Sequence, residues 1–286
     1  MRQTVRFLLA ALSAAAAGTS QAADLRNGGK LLLTNGITSI EGSSGGGLAS
    51  WSVIAGNETR DGIGVSAHLT AIALPDYDWH SYGAAIGVRN RVELSYARQN
   101  LDTQQLGEAL GIGRGYVFSQ DVFSAKVRLT GDLVYGPPLK PQIAVGIQHK
   151  KSANDALVTA VGADRTEGTD IYLSATKLFL AHSLLLDATV RLTRANQTGL
   201  LGHDEDSSVQ FEGSAAYQLS RRLAVGGEFR TKPDRLGFAA ESDWFDIFAA
   251  YAVTDHLTVT AAYVDLGSIA TSEPQRGALF QIQTAF

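Results

Sequence analysis

Charged side chains recur at alternate positions along several segments of this chain. Lys126 and Arg128 flank one apolar residue, and Glu228 and Arg230 flank another. Residues two apart lie on the same face of a β-strand. If these faces enclose a pore, the charges line a mixed-charge channel. The alternative is that they pair and brace the wall, because unpaired charge in a confined lumen is costly. Both interpretations stay open.

The charges on this polar face are nearly balanced, with five acids and four bases, which argues against strong selectivity for ions of one sign. They are Glu93, Lys126, Arg128, Asp187, Arg191, Glu212, Glu228, Arg230 and Asp246. A glycine-rich stretch at 111–116 adds Arg114, which we expect on a loop that folds inward over the lumen. The candidate lumen-lining residues are Arg114, Lys126, Arg128, Glu212 and Glu228.

The densest ionisable cluster is His203-Asp204-Glu205-Asp206. It could serve a hydrolase, with His203 as a base oriented by an acid, or hold a divalent cation that bridges to lipopolysaccharide. The simpler interpretation is a solvated acidic loop. The sequence has neither a zinc-protease nor a nucleophile-elbow motif, and no cysteine. We therefore predict no catalytic residue, no metal, no cofactor and no enzymatic activity.

The elements that position these residues are predicted to be β-strands, because apolar and polar residues alternate along most of the chain. Residues 184–194 place leucines and valines on one face and Asp187 and Arg191 on the other. The predicted strands run about 8–13 residues, as membrane-spanning strands do, whereas strands of soluble proteins average about 5–6. A soluble β-sandwich or a lipocalin-like cup is the competing architecture.

The last strand has a distinct pattern. Phe280, Ile282 and Phe286 share one face, and Gln281 and Gln283 share the other. A strand with one apolar face and a terminal aromatic residue is typical of the closing strand of an outer-membrane barrel. We expect Phe280, Ile282 and Phe286 to form the signal that the barrel-assembly machinery reads.

The predicted fold is all-β: a closed antiparallel transmembrane β-barrel, because an open sheet edge is not tolerated in lipid. Fourteen strands are expected, and segment 30–40 alternates poorly, which leaves twelve open. The predicted strands are 30–40, 48–56, 62–74, 81–88, 91–98, 120–131, 142–149, 169–179, 184–194, 207–218, 222–231, 243–252, 257–267 and 277–286. Short turns and long loops alternate, and aromatic residues are expected in two belts, as in bacterial barrels.

The N-terminus predicts export. Arg2 and Arg6 precede a short apolar run and a small-residue cleavage site, which is the pattern of a secretory signal peptide over 1–22. Residues 23–286 are then the barrel, in the outer membrane of a Gram-negative bacterium. The net charge of −4 argues against a nucleic-acid partner. Expected partners are outer-membrane lipid, lipopolysaccharide, the barrel-assembly machinery and a small solute.

Four stretches carry a family resemblance: 29–34 (GKLLLT), 45–48 (GGGL), 113–122 (GRGYVFSQDV) and 141–150 (PQIAVGIQHK). They resemble a family of uncharacterised proteobacterial proteins catalogued as a domain of unknown function. The resemblance implies an outer-membrane barrel, without a known substrate, cofactor or catalytic residue.

Three functions follow as hypotheses. The favoured one is a passive channel or uptake porin for a small solute, with a partly occluded lumen. The second is a non-conducting structural or adhesive barrel that acts through its external loops. The third is an outer-membrane hydrolase that acts through His203 and an acid.

Overall fold

A computed structural model describes residues 29–286 except 60, 61, 161, 236–240 and 273. The predicted signal peptide, 1–22, lies outside the described residues. Within the described part of the chain, a two-strand hairpin, β1 (Ile37–Thr38) and β2 (Ser44–Gly45), precedes a closed barrel of twelve strands. The barrel strands are β3 (Ile63–Ala73), β4 (Asp78–Val88), β5 (Val92–Asp102), β6 (Val117–Thr130), β7 (Gln142–Ser152), β8 (Glu167–Phe179), β9 (Leu184–Ala195), β10 (His203–Ser220), β11 (Leu223–Arg230), β12 (Trp244–Ala252), β13 (Leu257–Asp265) and β14 (Arg276–Ala285).

The barrel closes through its first and last strands. β14 pairs with β3 from Ala278 opposite Ala73 to Ala285 opposite Ser66, antiparallel like its neighbouring strand pairs. Closure leaves no unpaired sheet edge to face lipid. The predicted closed antiparallel barrel is confirmed, and the strand number is the twelve that the poor alternation of segment 30–40 had left open.

Two predicted wall strands, 30–40 and 48–56, are not in the wall. Residues 34–56 are buried throughout, whereas a wall strand buries only every second residue. Segment 48–56 does alternate, with Trp51 and Val53 on one side and Ser50 and Ser52 on the other. Alternation shows that the two sides of a segment meet different surroundings, and it does not show that one of them is lipid.

The wall exposes its apolar face. Along β9, exposed and buried residues alternate, with Leu186, Val190 and Leu192 outside and Asp187 and Arg191 inside. This arrangement is the reverse of a soluble cup, which turns its apolar residues inward. The outer surface of the barrel therefore suits lipid rather than water.

Exposed aromatic residues lie toward both ends of the barrel. Tyr217 and Tyr251 are near the short-turn end, and Phe245 and Tyr263 are near the long-loop end. Tyr96 and Phe123 lie near the middle of β5 and β6. Tyr96 and Phe123 are cross-strand neighbours with ring centroids 5.2 Å apart. The residues near the strand ends agree with the two predicted aromatic belts, whereas the mid-strand positions of Tyr96 and Phe123 do not.

The two ends of the barrel differ. The short-turn end carries connections 89–91, 180–183, 221–222 and 253–256, with the longer 131–141. The long-loop end carries 103–116, 153–166, 196–202, 231–243 and 266–275, with the short 74–77. Helices α1 (Leu106–Ala109) and α2 (Asp155–Ala160) lie in two of these long loops. The alternation of short and long connections follows the prediction.

Candidate functional site

The lumen is filled by the N-terminal segment 34–56, which we call the plug. It starts at the short-turn end, where the Lys30 amide donates to the Asn57 carbonyl at 3.1 Å and the Asn57 amide to the Phe286 carbonyl at 3.0 Å. Its tip lies beside Arg230, the last residue of β11. From there the chain returns to the short-turn end and continues toward β3. The plug is thus a loop inserted from one end of the barrel.

Glycine makes the tight turn of the plug tip possible. Gly42 has a φ of +88°, which side chains with a Cβ rarely adopt, and a Cβ there would lie 2.7 Å from the Ala97 Cβ. At Gly46 a Cβ would lie 1.4 Å from Glu228 Oε1. The plug backbone therefore approaches the wall more closely than any other residue type allows.

Wall acids accept hydrogen bonds from plug amides. Glu93 accepts from Ser44 at 3.1 Å and from Ala55 at 2.7 Å, and so binds both arms of the plug. Glu228 accepts from the Leu48 amide at 2.6 Å. A segment with so little regular structure needs partners for its buried backbone groups, and the wall supplies them.

Wall bases and amides donate to plug carbonyls. Lys126 Nζ lies 2.7 Å from both the Ser44 and Val53 carbonyls and 3.3 Å from Glu93 Oε1. Gln142 donates to the Ser52 carbonyl at 2.6 Å, and Gln99 to the Ile40 carbonyl at 2.6 Å. The polar wall is therefore bonded to the plug along both of its arms.

One part of the plug is anchored by apolar contact. Ile37 and Trp51 line a residual void of about 40 Å³ together with Leu178, Leu185 and Phe248 of the wall. The Trp51 indole also donates to Ser214 Oγ at 2.7 Å. This patch lies on the side of β8 to β12, away from Glu93 on β5.

The five candidate lumen-lining residues do not all lie inside the lumen. Lys126, Glu212 and Glu228 are buried and contact the plug, with Glu212 accepting from the Ser50 amide at 2.7 Å. Arg128 is half-buried near the short-turn end, 3.5 Å from Gln142 Oε1. Arg114 is exposed on the loop between α1 and β6, so its predicted position inside the pore is wrong.

The reason for the position of Arg114 is the geometry of its loop. Gly111, Gly113 and Gly115 have φ values of +73°, +98° and +68° and turn the chain back onto α1. The Gly113 amide donates to the Gly107 carbonyl at 3.0 Å. The loop is therefore compact at the barrel end instead of folding down into the lumen.

The three predicted assembly residues lie on β14 and at its end. Phe280 is exposed on the outer face, and Ile282 is half-buried on the same face. Phe286 stacks on His256 with centroids 5.0 Å apart, and its carbonyl accepts from the Asn57 and Val65 amides, each at 3.0 Å. Recognition by the assembly machinery stays a prediction.

A buried ion cluster surrounds the plug residue Glu41. Arg230 donates from Nη1 to Oε2 and from Nη2 to Oε1, each at 3.0 Å. Lys150 Nζ lies 2.5 Å from Oε1, and Arg191 Nη2 lies 3.5 Å from Oε2. Burial alone would raise the pKa of Glu41, but Arg230, Lys150 and Arg191 outweigh it and hold the pKa well below its ordinary value.

Asp170 and Glu212 complete the cluster. Asp170 lies 2.7 Å from Lys150 and 3.2 Å from Arg191, and Glu212 lies 2.5 Å from Arg191 Nε. Glu41, Lys150 and Asp170 were not among the candidates predicted from the sequence. One signal was available: Glu41 is the only charged residue between Lys30 and Glu58.

The loop 196–202, which we call the lid loop, covers the plug at the long-loop end and is buried throughout. The Thr198 carbonyl accepts from Lys150 Nζ at 2.9 Å and from Gln120 Nε2 at 3.3 Å. The adjacent His203 is buried, and neither ring nitrogen has a hydrogen-bond partner among the described residues. Asp204 instead pairs with Arg235 at 3.2 Å. The His–acid pair of the hydrolase hypothesis is therefore not formed here.

A cavity of about 400 Å³ lies at the short-turn end between the plug and the 131–141 connection. Lys30, Tyr135 and Gln142 are among its lining residues. Lys30 Nζ lies 3.8 Å from Glu58 Oε1. Burial raises the pKa of Glu58 to about 7 and lowers the pKa of Lys30 to about 8.

Within the described ranges, no helix is long and apolar enough to cross a membrane. The same residues contain no group of three or more histidines and acids arranged to hold a metal ion.

Solved structures of outer-membrane barrels resemble this fold. The KdgM porin in complex with disordered oligogalacturonate is 11% identical with a TM-score of 0.51, covering 77% of this chain and 99% of that chain. The NanC porin is 11% identical with a TM-score of 0.51, covering 78% and 98%. The outer membrane phospholipase A from Escherichia coli, in an active-site mutant, is 8% identical with a TM-score of 0.45, covering 77% and 89%. At these identities the likeness concerns the fold alone, and no curated protein matches the chain.

The family match is broader than any of these. It covers residues 34–283 and thus includes the plug together with nearly all of the barrel wall. The family is described as "Protein of unknown function (DUF3034)", and the chain belongs to it.

Proposed function

We propose that this protein is an outer-membrane channel for a small solute in a Gram-negative bacterium, closed in this structure by its own plug. The observation that carries the proposal is the separation of wall and plug. The twelve described wall strands close through β14 and β3, and the plug contributes none of them. Withdrawal of the plug therefore breaks no hydrogen bond within the wall.

The chemistry of the interface supports a plug that moves. Many plug backbone groups bond to Glu, Lys, Arg and Gln side chains of the wall, and water can replace these partners once the plug leaves. An interior that served stability alone would gain as much from apolar packing, because buried ion pairs contribute little net stability. The emptied lumen would be polar and suited to a hydrated solute.

The similar solved structures are called porins, and one of them was determined with oligogalacturonate. Their names are compatible with solute passage, although the likeness itself concerns the fold, and our proposal assigns no catalytic residue. The exposed apolar band would contact outer-membrane lipid and lipopolysaccharide.

A disulfide lock tests the proposal. The chain has no cysteine, and Ser52 Oγ of the plug lies 2.8 Å from Thr176 Oγ1 of β8. In the double variant Ser52→Cys with Thr176→Cys, oxidation should fix the plug to the wall. We expect conductance steps in planar bilayers from the reduced protein and none from the oxidised protein. Each single-cysteine variant should conduct under both conditions.

Two outcomes would overturn the proposal of a channel closed by its plug. Equal conductance of the oxidised and reduced double variant would mean that solutes bypass the plug. Silence in both states would favour the second candidate, a non-conducting barrel that acts through its external loops. That candidate has support in the structure, because the plug and the buried lid loop together fill much of the lumen.

A further inference from the structure

Three cations from three wall strands converge on one carboxylate. Lys150 lies on β7, Arg191 on β9 and Arg230 on β11, and their side chains surround Glu41, which has no exposed surface. Arg230 binds both carboxylate oxygens with its two terminal nitrogens, each at 3.0 Å. This paired geometry is specific for planar anions such as carboxylates.

The wall groups of the cluster carry a net positive charge and therefore need an anion. Lys150, Arg191 and Arg230 supply three positive charges, and Asp170 and Glu212 supply two negative charges, so the wall groups sum to +1. Glu41 brings this sum to zero. When the plug leaves, one positive charge stays uncompensated inside the barrel, which is unfavourable unless another anion enters.

The site has a further border beyond Glu41, where Lys232 pairs with Glu241 at 2.5 Å. A void of about 10 Å³ adjoins the cluster and is lined by Lys150, Arg191, Arg230, Lys232 and Trp244, among others. Trp244 is 1% exposed, and its indole Nε1 has no hydrogen-bond partner among the described residues. Arg230 and Lys232 lie over its ring at 5.8 Å and 5.7 Å. An unused donor therefore borders the site, which a ligand larger than the Glu41 side chain could reach.

We infer that Lys150, Arg191 and Arg230 form a binding site for the carboxylate of a small organic acid, and that Glu41 occupies this site as an internal competitor. The inference rests on the proposed function and names the solute class of that channel. The acid binds when the plug is withdrawn, and its carboxylate restores the charge balance that Glu41 provides at rest.

The test is binding of D-galacturonate to the full mature chain in detergent, with D-galactose as the neutral probe of the same size. Glu41→Gln keeps the shape of the side chain and removes its charge. By calorimetry we expect this variant to bind galacturonate about 10- to 100-fold more tightly than the unmodified protein, the gain expected from one charge-assisted contact. Neither protein should bind galactose.

Matched variants isolate the site. Glu58 lies just after the plug and near Lys30, outside the cluster. Glu58→Gln should therefore give no gain in galacturonate affinity. The double variant Glu41→Gln with Arg230→Gln should lose the gain. An equal gain from Glu58→Gln, equal binding of galactose, or no gain from Glu41→Gln would overturn the inference.

A second measurement needs no change in the cluster. In the single variant Ser52→Cys, galacturonate that displaces Glu41 should loosen the plug and increase labelling of the cysteine by a water-soluble thiol reagent, whereas galactose should not. Unchanged labelling would overturn the inference even if Glu41→Gln failed to fold. Carboxylate binding together with a silent bilayer would overturn the channel and leave the binding site in place.

Discussion

At the scale of single residues, the contact between Glu41 and Arg230 is the most informative feature of the lumen. Both side chains are buried, and each depends on the other for compensation of its charge. The lumen-facing orientation of Lys126, Glu212 and Glu228 could be predicted from the sequence, because alternation along a strand is a local pattern. The partner of Glu41 could not, because a loop threaded through a barrel meets residues more than a hundred positions away.

Removing one member of this pair should destabilise the protein. Arg230→Gln leaves Glu41 with less compensation, and breaking a buried pair costs about 3–5 kcal/mol. We expect a lower thermal midpoint in detergent, with partial recovery in the double variant Arg230→Gln with Glu41→Gln.

The control is an exposed pair. Arg222 and Asp255 are 3.2 Å apart with side chains 44% and 69% exposed, so Arg222→Gln should change stability by only about 0–1 kcal/mol. A similar loss from both arginine variants would contradict the role given to the buried pair.

Glu58 should make stability depend on pH. Burial raises its pKa from the ordinary value of 4.5 to about 7, so the folded protein holds a proton that the unfolded chain releases. Stability should therefore fall as pH rises from about 4.5 to about 7. Between pH 5 and pH 8, we therefore expect the thermal midpoint of the unmodified protein to fall relative to that of Glu58→Gln. A midpoint that rises over this range, with no difference between the variants, would contradict this assignment.

At the scale of elements, the wall strands were largely predictable and the plug was not. Strand 184–194 was predicted within one residue of β9, Leu184–Ala195, because every second side chain must suit lipid. Segments 30–40 and 48–56 were misassigned, since a segment inside the lumen can show a similar pattern. The run of glycines at 45–47 was the distinguishing feature, and it allows the plug tip to approach the wall.

Two adjacent glycines provide a matched test of how the plug fits. A Cβ at Gly46 would lie 1.4 Å from Glu228 Oε1, whereas at Gly47 the nearest atoms are 3.6 Å away. Gly46→Ala should therefore push the Glu228 carboxylate away and break its bond to the Leu48 amide. The loosened plug tip should give conductance at voltages where the unmodified protein is closed. Gly47→Ala should behave like the unmodified protein. Equal conductance of the two variants would contradict the described fit.

At the scale of the whole molecule, wall and plug are separable bodies of one chain. The closing contact between β14 and β3 is made by residues 278–285 and 66–73. The exposed apolar band and the antiparallel ladder are formed by wall residues alone. Closure could be predicted from the sequence because lipid forbids open edges. The filled interior could not be predicted, because neither the alternation of side chains nor the length of the strands depends on what the lumen contains.

The wall should therefore survive displacement of the plug. Gly46→Ala should keep the faster gel migration of a folded barrel before heating, with a heating shift equal to that of Gly47→Ala. Loss of the folded band in Gly46→Ala alone would mean that the wall needs the plug to close.

If solute passes only when the plug leaves the lumen, the disulfide between positions 52 and 176 should switch conductance on and off. Single-channel recording of the double-cysteine protein should show conductance steps that appear when reductant is added and disappear on reoxidation. Steps that persist unchanged through both treatments would show that solute passes while the plug is in place.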